Sequence, residues 1–208
     1  VSAAKLKKAQ DAITAMRPYS SKLTELLQNL SATLDSDASG AYSTQREISK
    51  VLLVVITSNR GLCGGFNSSI TKTVVRTIEE KYKNTAVDLF SIGKKGGDVL
   101  SKAHHVVANR NELFDDLTFD NVAIVAEELM EMYSNGTYDK IEVVYNQFKN
   151  AATQIPQVEQ FLPIKPIEGG DASAVNSDYI FDPSKEEIVL ALIPKSLKTQ
   201  LYKALRDS

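Results

Sequence analysis

The chain has 208 residues, 43% hydrophobic and 24% charged, with a net charge of −2, an ordinary composition for a globular protein. No apolar run approaches the roughly 20 residues that a spanning helix needs. The single cysteine, Cys63, excludes an internal disulfide and any multi-cysteine metal site.

The first segment reads as a long helix. Leu6, Ala9, Ile13, Met16, Ser20, Leu23, Leu27, Leu30 and Leu34 recur at alternating steps of three and four, a heptad seam interrupted only by Ser20. Pro18 is predicted to bend this helix without ending the seam. Residues 1–34 are therefore read as a coiled-coil helix and 35–50 as a linker, polar from Asp35 to Gly40.

Val51 to Thr57 is an apolar, largely β-branched run, typical of a strand buried on both faces. It runs into Gly61, Gly64 and Gly65, where a sharp turn opens a helix carrying Ile70, Val74 and Ile78 on one face. Asn67, Ser68 and Ser69 offer cap-type side chains. The G-x-x-G-G spacing matches neither a dinucleotide fingerprint nor a P-loop. A phosphate at this helix start stays physically possible, beside the reading of a structural turn in which Gly61 and Gly64 take conformations that side chains resist. After the apolar run 86–92, Gly93-Lys94-Lys95-Gly96-Gly97 repeats the pattern, which favours scaffold over a specialised cradle. A helix over 95–103, a strand over 104–108, a helical stripe from Val122 to Met132 stopped by Asn135-Gly136, a strand over 141–147 and an antiparallel edge strand over 157–164 follow. Such alternation predicts an α/β domain over 51–182 with right-handed crossovers.

Asp182-Pro183-Ser184 starts a last helix over 183–208, with Leu190, Ile193, Leu197, Leu201 and Ala204 facing one way and Pro194 as a second kink. The first and last helices are expected to pair antiparallel, Leu6, Ile13, Leu23 and Leu27 against Leu190, Ile193, Leu197 and Leu201, because neither seam can be buried alone. Both ends read as helices cut from something longer. Lys5, Lys7, Lys8, Arg17 and Lys22 outnumber Asp11 at one end, and Lys195, Lys198, Lys203 and Arg206 outnumber Asp207 at the other. Basic ends on an acidic body fit two solvated helix faces or a shared acidic partner.

Catalytic chemistry is sparse. His104-His105 in a strand would point to opposite faces and could not share a metal. Asp115-Asp116 and Glu127-Glu128 have the same defect, and Cys63 has no evident histidine partner. The residues alone describe a non-catalytic interaction module with no metal or cofactor. The alternative is an α/β nucleotide- or phosphate-binding enzyme that uses the Gly61–Gly65 turn, with Arg60 as an exposed cation beside it.

SAAKLKKAQDAITAMRPY from Ser2, TSNRGLCGGFNSSI from Thr57, and the later NQFKNAATQIPQVEQFLP and DYIFDP together resemble the γ subunits of the rotary F-type ATP synthases, in order and across essentially the whole chain. The resemblance implies a mostly parallel, Rossmann-like sheet of about five strands flanked by helices, with the terminal helices as the lower part of an antiparallel coiled coil. It implies a central-stalk rotor subunit of a proton-translocating synthase, without an active site of its own. The implied partners are the alpha and beta subunits of the catalytic hexamer, the epsilon subunit and the membrane rotor c-ring. No nucleic acid and no direct membrane insertion are expected. By the resemblance, Tyr179, Phe181 and Asp182 would lie against the polar loops of the ring; the alternative is an edge segment with Asp182 as the N-cap of the last helix. Arg60, an exposed cation beside the turn, would meet either a catalytic-subunit loop or a neighbouring Asp or Glu of this chain. Plastid members carry a regulatory cysteine pair that one cysteine cannot form, so a bacterial enzyme at the cytoplasmic face of the cell membrane is expected ahead of a mitochondrial one.

Overall fold

The computed structural model describes residues 46–61, 64–164 and 183–208, together with Ala3, Ala4, Lys7, Lys8, Asp11, Pro18 and Tyr42, and for 183–190 the backbone alone. The expected seam positions Leu6, Ile13, Leu23 and Leu27 and the candidate ring contacts Tyr179, Phe181 and Asp182 lie outside the described residues.

Five strands, β1 (Lys50–Ile56), β2 (Ala86–Ile92), β3 (Val106–Asn109), β4 (Lys140–Asn150) and β5 (Thr153–Leu162), form one sheet in the order β3-β2-β1-β4-β5. The first four are parallel and β5 runs antiparallel to β4 at the edge. β1 is central, which explains its unbroken apolar run: Val51 through Ile56 are all completely buried. Helices α1 (Phe66–Lys81) and α2 (Lys94–Leu100) follow β1 and β2, while α3 (Phe119–Ser134) leads to β4 and α4 (Pro183–Asp207) ends the chain.

The strands grow outward from β1 in one direction through β2 and β3, then in the other through β4. With crossovers of one hand, this reversal places the connecting helices on opposite faces. Val51, Leu53 and Val55 accordingly pack with Ile70, Val74 and Leu100. Leu52, Val54 and Ile56 pack with Val122, Ala126 and Leu129 of α3 and with Ile193, Leu197 and Leu201 of α4. Those three α4 residues, read from sequence as half of a coiled-coil seam, thus lie within the core of the α/β body.

Several boundaries differ from the sequence reading. α3 begins at Phe119, ahead of the apolar stripe, because the Thr118 hydroxyl caps it by accepting from the Asn121 amide at 3.2 Å. β5 begins at Thr153 and contains Pro156 opposite Asn146, a residue tolerated because the strand is an edge. His104 and His105 precede β3 instead of alternating within it. Asn135 and Gly136, at φ +84°, end α3 as expected.

The chain entering β1 is tied to the α3–β4 corner. The Arg46 guanidinium lies 4.2 Å over the Tyr133 ring and donates to the Tyr133 and Tyr138 carbonyls at 2.8 and 3.0 Å. Asp139 accepts from the Ser49 and Lys50 amides, both at 3.0 Å, and from the Ser49 hydroxyl at 2.9 Å. Burial works to raise the Asp139 carboxyl, but these donors and the Arg46 charge outweigh it and hold it below the usual carboxylate range.

Candidate functional site at the carboxyl ends of the strands

Open α/β sheets bind ligands beyond the carboxyl ends of their strands, at the point where strand order reverses. Here that region holds both glycine turns, Thr57–Gly61, Asn109–Asn111 and the start of α1.

The second turn is closed on itself. Gly93, at φ +119°, sits so close to Thr57 that a Cβ would fall inside the Thr57 carbonyl group. A Cβ on Gly96 would stand 2.7 Å from the Thr57 hydroxyl. Each amide that a phosphate would need already donates within the chain. The Gly93 amide donates to Asn111 Oδ1 at 3.2 Å and the Lys94 amide to Asn59 Oδ1 at 2.9 Å. The Lys95 amide reaches the Ser58 carbonyl at 3.1 Å, and the Gly96 amide reaches the Thr57 hydroxyl at 2.8 Å.

The first turn is looser. Gly64 has φ +60°, which requires glycine for conformation, yet no described atom lies within 4 Å of a Cβ built there. Gly61 is not among the positive-φ glycines, and a Cβ there would make only ordinary contact with the Lys95 side chain. Gly65 occupies the N-cap position of α1 and supplies no side-chain cap. Asn67 is spent elsewhere, its Oδ1 accepting from the Ser58 amide at 3.0 Å and its Nδ2 donating to the Arg60 carbonyl at 3.2 Å. Arg60 is exposed and shares a recess with Phe66, Phe114 and Asp115.

Two buried acids sit towards the opposite, amino ends of the strands. Glu142, 2% exposed, accepts from Lys81 Nζ at 2.9 and 3.0 Å and from the Tyr82 hydroxyl. Asp88 accepts from the Tyr138 hydroxyl at 2.9 Å, with Lys50 Nζ at 3.4 Å and His105 Nδ1 at 3.1 Å. Burial opposes ionisation of Asp88, but His105, Tyr138 and Lys50 together hold its carboxyl below the usual range. Burial first, and then the adjacent carboxylate, pushes the Tyr82 and Tyr138 phenols far above their ordinary range. Such phenols stay protonated and donate, which suits fixed scaffold bonds and not general-base work. Among the described residues no group of three or more His, Cys, Asp or Glu could hold a metal, and no helix is long and apolar enough to cross a membrane.

A family model described as ATP synthase matches residues 1–208. The ATP synthase gamma chains of Flavobacterium johnsoniae and Flavobacterium psychrophilum are each 66% identical over 208 residues, covering all of this chain and 72% of theirs. The chain belongs to the ATP synthase gamma-chain family. A further gamma chain, from Christiangramia forsetii, is 57% identical with the same coverage. The gamma-chain fold recurs in a solved structure of the Tetrahymena thermophila mitochondrial ATP synthase central stalk and c-ring, with a TM-score of 0.66 and 24% identity over 99% of this chain and 88% of that one. As a gamma chain, this protein is part of the ATP synthase enzyme complex.

Sequence reasoning located the two turns but not what closes them. Thr57, Asn59 and Asn111 carry no motif. Asp88 and Glu142 did leave a signal, since each is the lone acid of its strand with apolar residues on either side and a buried charge demands partners.

Proposed function

We propose that the chain is the central-stalk rotor subunit of the proton-translocating ATP synthase, passing torque between the membrane rotor ring and the catalytic hexamer, with no active site of its own. The observation that supports this reading is the saturation of the Gly93–Gly97 turn: its amides are occupied by Thr57, Ser58, Asn59 and Asn111, leaving no phosphate cradle in that turn. Torque needs a shaft joined rigidly to a broad body. Ile193, Leu197 and Leu201 supply such a joint, because they bury α4 in the core of the sheet.

Its partners on this reading are the alpha and beta subunits, reached through Arg60, the epsilon subunit, and the c-ring, met by Tyr179, Phe181 and Asp182. Leu6, Ile13, Leu23 and Leu27 would bury the shaft seam against the last helix. The site of action is the cytoplasmic face of the bacterial cell membrane, held peripherally, consistent with the bacterial relatives.

Calorimetric titration with ATP, ADP and NAD tests the absence of an active site. No saturable micromolar binding is expected. Tight ATP binding that Arg60→Ala or Gly64→Val abolishes would contradict this reading and favour a nucleotide-binding enzyme.

A further inference from the structure

Ile193, Leu197 and Leu201 hold α4 against the sheet, but apolar burial is non-directional and resists separation better than it resists a roll of the helix about its own axis. Polar ties on opposite flanks of α4 supply the missing direction. Successive helical residues are set roughly 100° apart, so Gln200 and Tyr202 lie to either side of the completely buried Leu201.

On one flank, Gln200 Nε2 donates to the Gln160 carbonyl at 3.1 Å. That carbonyl belongs to β5, whose position is set by its ladder to β4. On the other flank, Arg206 Nη2 donates to the Leu117 carbonyl at 3.2 Å, in the segment that leads into α3. Arg206 Nε donates to the Tyr202 hydroxyl at 2.9 Å, and the guanidinium lies 5.1 Å from the centre of the Tyr202 ring. Tyr202 in turn meets Phe119, the first residue of α3, edge to face at 5.6 Å and 81°. The long Arg206 side chain is thus aimed by a ring that is itself wedged against α3.

This geometry opposes roll in both senses. A turn one way lifts Gln200 off β5, and a turn the other way draws Arg206 off Leu117. At the helix surface, about 6 Å from the axis, a roll of about 15° moves a side-chain tip by roughly 1.5 Å, enough to break either bond. The ion pair of Lys198 with Glu127, at 2.7 Å, is a weaker tie, because Glu127 is 60% exposed and such pairs are screened by salt.

We propose that Gln200 and Arg206 are positioning residues that lock α4 against rolling on the sheet, so that torque passes between the last helix and the α/β body without angular slack. The lock deepens the rotor reading and rests on it.

The test uses the intact ATP synthase, immobilised through its catalytic hexamer and stalled without ATP, with a rod attached at Val107→Cys on β3. Gln200→Met with Arg206→Met removes both sets of donors and keeps the apolar stems. The mean-square angular spread of the rod is expected to rise about twofold or more in the double variant, and by less in each single variant. The single variants are measured in any case, so a double variant that fails to assemble leaves the test intact. Lys198→Met, which breaks only the exposed ion pair, should leave the spread unchanged. A loss of fold stability alone would lower the unfolding midpoint of the isolated subunit without widening the spread, and that result would overturn the lock. Equal widening by Lys198→Met would overturn it too, by showing that any lost contact of α4 gives slack. A rod that never turns when ATP is hydrolysed would overturn the lock together with the rotor reading.

Discussion

Gly93→Ala is expected to destabilise the chain by about 4 kcal/mol, combining strain at φ +119° with overpacking and the loss of neighbouring hydrogen bonds. The new methyl would displace Thr57, whose hydroxyl accepts from the Gly96 amide and donates to the Gly93 carbonyl. It would also loosen the approach of α2 to β1. Gly64→Ala is the built-in comparison: it meets the same demand for positive φ without a described neighbour in the way, and should cost only about 1 kcal/mol. Urea unfolding of the two variants measures the difference. Equal costs would show that backbone conformation alone governs both turns and that contact with Thr57 contributes nothing.

Leu201→Ala should cost about 3 kcal/mol, within the range for a fully buried leucine whose cavity cannot collapse. Leu201 is completely buried and shares a cluster with Phe161, Tyr145 and Leu129, so the cavity opens beneath the sheet. The expected result is a lower unfolding midpoint for the whole α/β body at unchanged denaturant dependence. A cost below about 1 kcal/mol would mean that the last helix is peripheral to that core.

This second case marks what periodicity can and cannot say. The spacing of Ile193, Leu197 and Leu201 names the buried face of a helix, but the same stripe suits a partner helix or a sheet. Only the positions of β4 and α3 decide that these residues enter the α/β core. β1 was fully legible because a run of six buried residues needs layers on both sides, and the glycine turn after it declared itself by composition. The apolar stripe from Val122 does not show the start of α3, because the Thr118 cap sets its first residue at Phe119, three residues earlier. His105 is held at the entrance to β3 beside Asp88, a pairing across 17 residues that no local pattern encodes. Asn146 shows the same limit. A polar residue in an apolar strand announces a buried hydrogen-bonding group, but the bond to Phe66 joins residues 80 apart and exists only once β1 and β4 are neighbours.

The rotor account is tested most directly by watching this domain move. In the intact ATP synthase, immobilised through its catalytic hexamer, a gold rod can be attached at Val107→Cys, an exposed position on the edge strand β3. The account predicts stepwise rotation in one direction when ATP is supplied, with no effect of the label on hydrolysis. A rod that stays fixed while ATP is hydrolysed at the normal rate would contradict it.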